Sequence, residues 1–285
     1  EAQRAFQIVD AYVGMELVPN TRRLALMNCL LHGIEGRGEG AIRLGNTLGS
    51  AGSQLPKSDI ILSNPPFGTA KGGGGPTRDD LTFATSNKQL AFVQHIVRHL
   101  KDGGRAAVVL PDNVLFEAGV GTDIRRMLMD KCRLHTILRL PTGIFYAQGV
   151  KTNVLFFEKV SESATGSTDS VWVYDMRANA PKFGKRTPLT EAHFADFIAA
   201  YGQDPNGRSP RQDQGEQGRW RCFSREWIAT EKQDSLDIAW LKDDSVKDAA
   251  DLPEPAVLAR EITDELNAAL EELEGILAEL GEIKG

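Results

Sequence analysis

Asp59-Ile60-Ile61-Leu62-Ser63-Asn64-Pro65-Pro66-Phe67 is the stretch on which the reading of this 285-residue chain turns. Its first five residues are an apolar run of strand length bounded by a turn signal, and they read as a buried strand. Two consecutive prolines then fix φ and remove two backbone donors, so the chain leaves the sheet at Asn64. The same pattern recurs on both sides. Tyr12–Leu17, Ala41–Leu44, Arg105–Leu110, His135–Leu140 and Asn153–Lys159 read as further strands. Between them lie helical patterns: residues 20–33, with Leu24, Met27, Leu30 and Leu31 on one side; Asn87–Leu100, ended by Gly103-Gly104; and about 121–131. Strands alternating with helices, several of the strands apolar on both faces, predict an α/β fold with a mostly parallel sheet. Such sheets place ligands beyond the carboxyl ends of their strands, here just after Leu17, Leu44, Ser63 and Leu110.

After residue 160 the pattern changes. Ser161–Ser170 reads as a polar linker, Val171–Asp175 as one more strand, and residues 202–219, rich in Gly, Pro, Gln and Arg, as a mobile loop. From Ala259 to Ile283 apolar residues alternate spacings of three and four, which is a heptad seam with an acidic exterior. The expected organisation is a catalytic core over 1–160, an extension over 161–233 and an acidic helical tail over 234–285. Charge follows the same division. The net charge is -6, but residues 234–285 hold 15 acidic and 4 basic side chains, so residues 1–233 carry an excess of five basic groups. A mildly basic body permits contact with nucleic acid, whereas the tail repels phosphate and suits a protein partner.

Three scattered cysteines without CxxC or a Cys/His cluster predict neither a disulfide framework nor a zinc site, and no histidine has ligand spacing, so no metal is expected. No apolar run approaches membrane-spanning length and no signal peptide is visible, which predicts a cytoplasmic protein.

The chemistry centres on Asn64, Pro65, Pro66 and Phe67. A strand-end turn without prolyl donors exposes two acceptors, the Asn64 side-chain carbonyl and the Pro65 backbone carbonyl, beside an aromatic face. The exocyclic amine of a nucleobase is a poor nucleophile because its lone pair is delocalised. Two acceptors aimed at its N–H bonds localise that lone pair for attack on a methyl sulfonium. An aromatic ring stacks on a base that has left its helix. The plain alternative is a rigid turn after a strand. Glu16, ending the first strand, sits where an acidic residue accepts hydrogen bonds from ribose hydroxyls, or simply caps. Asn46, after the next strand, fits a contact to a cofactor adenine, or an ordinary turn beside Gly45. Gly72–Gly75 lacks the Lys-Ser/Thr of a phosphate loop and reads as a flexible loop able to close over a flipped nucleotide. Arg125, Arg126, Lys131 and Arg133 cluster at a helix end, and Lys182, Lys185 and Arg186 form a second basic group. For Arg208, Arg211, Arg219, Arg221 and Arg225, with Trp220 and Trp227, a DNA-facing surface and a solvated loop are equal readings.

Gly14-Met15-Glu16-Leu17-Val18-Pro19, Ala25-Leu26-Met27-Asn28, His32-Gly33-Ile34-Glu35, the Asn-Pro-Pro-Phe turn, Leu110–Phe116, and Leu140–Phe145 running on to Gly149–Asn153 together resemble the modification (M) subunit of type I restriction-modification systems. The resemblance covers essentially the whole chain. It implies a class I, Rossmann-like methyltransferase fold, S-adenosylmethionine as donor without a metal, and N6-adenine of duplex DNA as acceptor. It also implies a specificity (S) subunit that reads DNA, met through the C-terminal helix, and a restriction (R) subunit. Glu16 would bind the cofactor ribose, and Asn64, Pro65 and Phe67 would hold the adenine. The family's Asp-Pro-x-x-Gly-x-Gly-Gly loop has no counterpart before Glu16. The first, central strand is therefore expected to be missing, and this chain is expected to bind the cofactor poorly by itself. Transfer to a protein glutamine or to RNA, and a non-catalytic assembly module, are the competing readings.

Overall fold

The computed structural model describes residues 1–67, 77–145, 150–160, 166–181, 183–184 and 187–242, with positions 260, 263 and 270. In chain order the elements are α1 (Ala2–Val9), β1 (Gly14–Glu16), α2 (Pro19–Leu31), β2 (Ile42–Leu44), α3 (Ser50–Ser53), β3 (Ser58–Ser63), α4 (Lys88–His99), β4 (Leu100–Pro111), α5 (Asp112–Phe116) and α6 (Val120–Lys131). Then come β5 (Cys132–Arg139), β6 (Thr152–Lys159), β7 (Ser170–Asp175), α7 (Ala195–Tyr201), β8 (Trp220–Ser224) and α8 (Arg225–Thr230). One compact unit spans Glu1–Leu241 and a second holds the remainder. The heptad segment, apart from Arg260, Thr263 and Leu270, lies outside the described residues, as do Gly72–Gly75, Lys182, Lys185 and Arg186.

Local chemistry sets most boundaries. Pro19 opens α2, where a missing N–H costs nothing. Asn87 caps α4, its side chain accepting from the Gln89 and Leu90 amides. Ser224 caps α8 through the Trp227 amide. Gly103-Gly104 does not end α4 as expected. The helix stops at His99, Leu100 is already extended, and the glycines lie inside β4. Gly103 has φ +77, and at Gly104 the carbonyls of Lys101, Ser58 and Asp59 stand about 3 Å from where a Cβ would lie. Two glycines let the strand carry this irregularity, visible as a register shift against β3.

The strands form two sheets. β1 and β2 pair in parallel, Gly14 to Ile42 through Glu16 to Leu44. The second sheet has the order β3-β4-β6-β5-β7-β8. It is mixed rather than mostly parallel: β3/β4 and β5/β7 are parallel, while β4/β6, β5/β6 and β7/β8 are antiparallel. This is a Rossmann-like α/β sheet, and β7 and β8 make residues of the expected extension part of it. Leu236 and Ile238 are also buried in the core, so the folded body runs on past residue 233 to Leu241.

Helices α4 and α6 cover one face of the second sheet. Leu90, Val93, Ile96, Val97, Ile124 and Leu128 bury against Val108, Leu134, Ile137, Leu155 and Phe157. Each fully buried side chain of this kind contributes about 1.5–3 kcal/mol relative to exposure. On the other face, Leu138, Leu140, Tyr174, Phe197 and Trp220 form a smaller aromatic core, with Trp172 and Trp220 stacked at 5.2 Å.

β3 departs from expectation in burial. It is an edge strand among the described residues, with Ile60 50% and Leu62 78% exposed. No described strand joins it to β1, although both line one cleft of about 230 Å³, with Val13, Gly14 and Met15 on one side and Ser58, Ile61, Leu62 and Ser63 on the other. Among the described residues the β1/β2 pair and the six-stranded sheet thus remain separate sheets. Leu24, Met27, Leu30 and Leu31 of α2 are all more than half exposed among the described residues. No described helix is long and apolar enough to cross a membrane.

Candidate active site

The turn leaving β3 is built from both sides. Pro65 is buried and Asn64 and Pro66 are exposed. The Pro66 carbonyl accepts from the Gln89 side-chain amide at 3.0 Å, which pins the turn to the first turn of α4. Asn87, the cap of that helix, donates to Glu117 at 2.6 Å. Removing this amide in Asn87→Ala should cost about 1–2 kcal/mol of stability, read as a lower urea midpoint; an unchanged midpoint would refute the capping role. Asn64 is exposed, and among the described residues no hydrogen bond engages its side chain or the Pro65 carbonyl. Phe67 meets Phe145 edge to face, centroids 5.9 Å apart. Phe145 also lines an apolar cavity of about 800 Å³ with Leu140, Ile144, Val154, Phe183 and Phe194. Gln89 and Phe145 received no role from sequence. The only signal was the Leu140–Phe145 motif, which did not say that Phe145 would face Phe67.

Glu16 and Asn46 lie at the carboxyl ends of β1 and β2, on adjacent strands. Glu16 Oε1 accepts from the Val18 amide at 2.8 Å, the capping alternative, which leaves its second oxygen available. The Asn46 side chain accepts from the Leu48 amide at 3.0 Å and so shapes its own turn. A carboxylate and an amide at neighbouring strand ends fit the nucleoside half of a cofactor.

Behind Asn46 sits a buried ionic cluster. The Arg78 guanidinium, fully buried, forks onto Asp80 at 2.7 and 2.5 Å and donates to the Thr47 carbonyl at 3.4 Å. It also meets His95 Nδ1 at 2.5 Å. Guanidinium has no acceptor, so Nδ1 must be the unprotonated nitrogen of a neutral ring. Burial first, then His99 and Arg78, push the His95 pKa down to about 3, while the Arg78 fork holds Asp80 at about 2. Among the described residues no group of His, Cys, Asp and Glu could hold a metal.

Each of the five arginines from 208 to 225 has a partner within the fold. Arg208 forks onto Glu158, Arg211 bonds Thr136 and lies over the Tyr201 and Trp220 rings, and Arg219 bonds the Asp175 carbonyl. Arg221 and Arg225 pair with Asp213 and Asp234. These arginines anchor an irregular segment to the sheet. Arg125 is buried on the carbonyls of Val114, Glu117 and Asp234.

A model of the N-6 DNA methylase family matches residues 2–229. The methylase subunit of the type I restriction enzyme StySPI from Salmonella potsdam is 59% identical, over 97% of this chain and 57% of that protein. The EcoKI methylase subunit of Escherichia coli strain K12 is 58% identical with the same coverage. The crystal structure of the EcoKI M protein superimposes with a TM-score of 0.78 at 57% identity, over 97% of this chain and 62% of that one. A chain from a type I R-M system structure gives a TM-score of 0.66 at 25% identity, over 100% and 57%. This chain spans a little over half the length of the curated relatives it matches.

Proposed function

Because this chain belongs to the N-6 DNA methylase family, we propose that it is part of the modification subunit of a type I restriction-modification complex, methylating the exocyclic amine of adenine in duplex DNA. The observation that carries this reading is the Asn64–Phe67 turn. It has two acceptors unengaged among the described residues, a carbonyl pinned by Gln89, and an aromatic ring against Phe145.

In this mechanism the target adenine leaves the duplex and stacks on Phe67, whose ring Phe145 supports edge to face. One amine N–H donates to Asn64 Oδ1 and the other to the Pro65 carbonyl. Both bonds strengthen as the nitrogen turns tetrahedral and its N–H groups acidify, so they favour the transition state over the ground state. No strong base is required, because the proton is lost readily once the nitrogen is alkylated. Glu16 and Asn46 would hold the ribose and adenine of S-adenosylmethionine, which when bound supplies an electrophilic methyl group on sulfur. Closing the site around the base excludes water and strengthens these contacts.

A specificity subunit would read the DNA sequence and a restriction subunit would cleave unmodified sites. The acidic heptad beyond Leu241 is the proposed dock for the specificity subunit. Ending the full subunit after about residue 255 should abolish co-purification with that subunit while the catalytic body stays folded; retained assembly would refute the assignment. The proposed function is tested by transfer of labelled methyl from S-adenosylmethionine in the reconstituted complex. Label should appear as N6-methyladenine in duplex DNA. Label in a protein glutamine or in RNA instead would replace the substrate assignment.

A further inference from the structure

Arg177 stands just beyond the end of β7, and its placement is fixed before its side chain does anything. Asp175 Oδ1 accepts from the Arg177 and Ala178 amides at 2.7 and 2.8 Å, a tight turn that brings Arg177 back across the carboxyl ends of the neighbouring strands. Its guanidinium forks onto Asp112 at 2.9 and 3.0 Å, at the end of β4. The same group donates to the Leu140 carbonyl at 3.2 Å and to the Thr152 carbonyl at 3.0 Å. Leu140 and Thr152 are the two stems of the segment that carries Phe145. The Leu140 amide bonds the Thr152 carbonyl at 3.0 Å, the Asp112 amide bonds the Lys151 carbonyl at 3.0 Å, and the Asn153 amide side chain bonds Asp112 at 2.7 Å. One cation therefore ties four strand ends together. The Arg177 and Asp112 side chains are only 10% and 17% exposed. Burial alone would raise the Asp112 pKa, but the Arg177 fork and the Asn153 bond outweigh it and hold the carboxyl ionised below its ordinary value.

A buried ion pair of this kind is seldom more stabilising than apolar residues of the same volume, so stability accounts poorly for it. Geometry accounts for it better. The planar fork defines where both stems lie, and the stems define where Phe145 lies relative to Phe67. We propose that Arg177, seated by Asp175 and paired with Asp112, is a positioning residue that fixes Phe145 against Phe67, the ring on which the extruded adenine stacks. The proposal rests on the reading that the Asn64–Phe67 turn receives that base.

The test uses the complete methyltransferase complex and a duplex carrying its own methylation site, located by mapping N6-methyladenine in host DNA. Arg177→Gln removes the fork and its charge, leaving a shorter neutral amide. It should lower kcat by about 10- to 100-fold, the scale of an ångström-sized misplacement of a reacting group. KM for the methyl donor should stay within about twofold. With 2-aminopurine in place of the target adenine, the fluorescence of the unstacked base should change in Arg177→Gln as it does in Phe145→Ala. The double variant should be no slower than Phe145→Ala alone, because both act through one ring. An unchanged kcat in Arg177→Gln, or a full additional loss in the Phe145→Ala background, would overturn the positioning role while leaving the site reading intact. Wild-type rates in both Asn64→Ala and Phe145→Ala would overturn the site reading and this inference with it.

Discussion

Asn64→Ala in the complete enzyme is expected to lower the single-turnover rate of methyl transfer by about 100- to 1,000-fold, with DNA and methyl-donor affinities little changed. The argument is differential. The Asn64 carbonyl oxygen contributes least when the adenine amine is planar and most when its hydrogens acidify, so its loss falls on the chemical step. A loss of this size equals about 2.7–4 kcal/mol, the scale measured for one preorganised polar group aimed at a developing charge. The fold should tolerate the change. Asn64 is exposed, and the turn keeps its anchor because Gln89 holds the Pro66 carbonyl and Pro65 is buried. A circular-dichroism melt of the variant should therefore overlay that of the wild type. Asn64→Asp separates geometry from charge: it keeps an acceptor in place, and a rate well above that of Asn64→Ala would assign the effect to acceptance. A rate reduced less than tenfold in Asn64→Ala would remove this residue from the mechanism.

The turn itself was legible because its signal is local. Two prolines after a strand dictate which carbonyls are exposed, and no distant residue is needed to see it. What surrounds the turn was not legible for the opposite reason. Gln89 reaches Pro66 across 23 positions, and Arg177 reaches Asp112 across 65. Neither contact leaves a periodicity. The run Asp59–Ser63 has the composition of a central strand, yet β3 is an edge with Leu62 exposed, because burial depends on which neighbours are present and composition does not report them. The internal partners of the arginines between 208 and 225 were invisible for the same reason. Charge density at the sequence level suggests a phosphate-binding or solvated surface, whereas Glu158, Asp175, Asp213 and Asp234 supply partners far along the chain. The alternation of strands and helices was readable throughout, but strand direction was not. Antiparallel β6 between β4 and β5 has the same apolar pattern as a parallel strand would.

Acidification to pH 5 should destabilise the folded body strongly, through two histidines that take no part in the proposed chemistry. His95 is buried beside His99 of its own helix and beside Arg78, with Asp80 the nearest opposing charge. His135 is buried on β5 near Arg133, Arg211 and Arg208. Burial foremost, then these cations, push each ring from its ordinary 6.5 down to about 3. The native state therefore keeps both rings neutral, whereas the unfolded chain takes up protons as pH falls through 6.5. Their contribution to stability is intact above that value and is lost progressively between 6.5 and about 3. At pH 5 the loss is about 2 kcal/mol for each ring, enough together to consume much of a typical domain's margin. Between pH 7.5 and 5, the two conditions compared, carboxylates contribute little, because their ordinary pKa values lie near 4. Urea unfolding at pH 7.5 and pH 5 measures the effect. His135→Asn, which removes one titrating ring, should be less stable than wild type at pH 7.5 yet lose about 2 kcal/mol less on acidification. Equal wild-type stability at the two pH values, or an undiminished acid loss in the variant, would show that these rings do not control it.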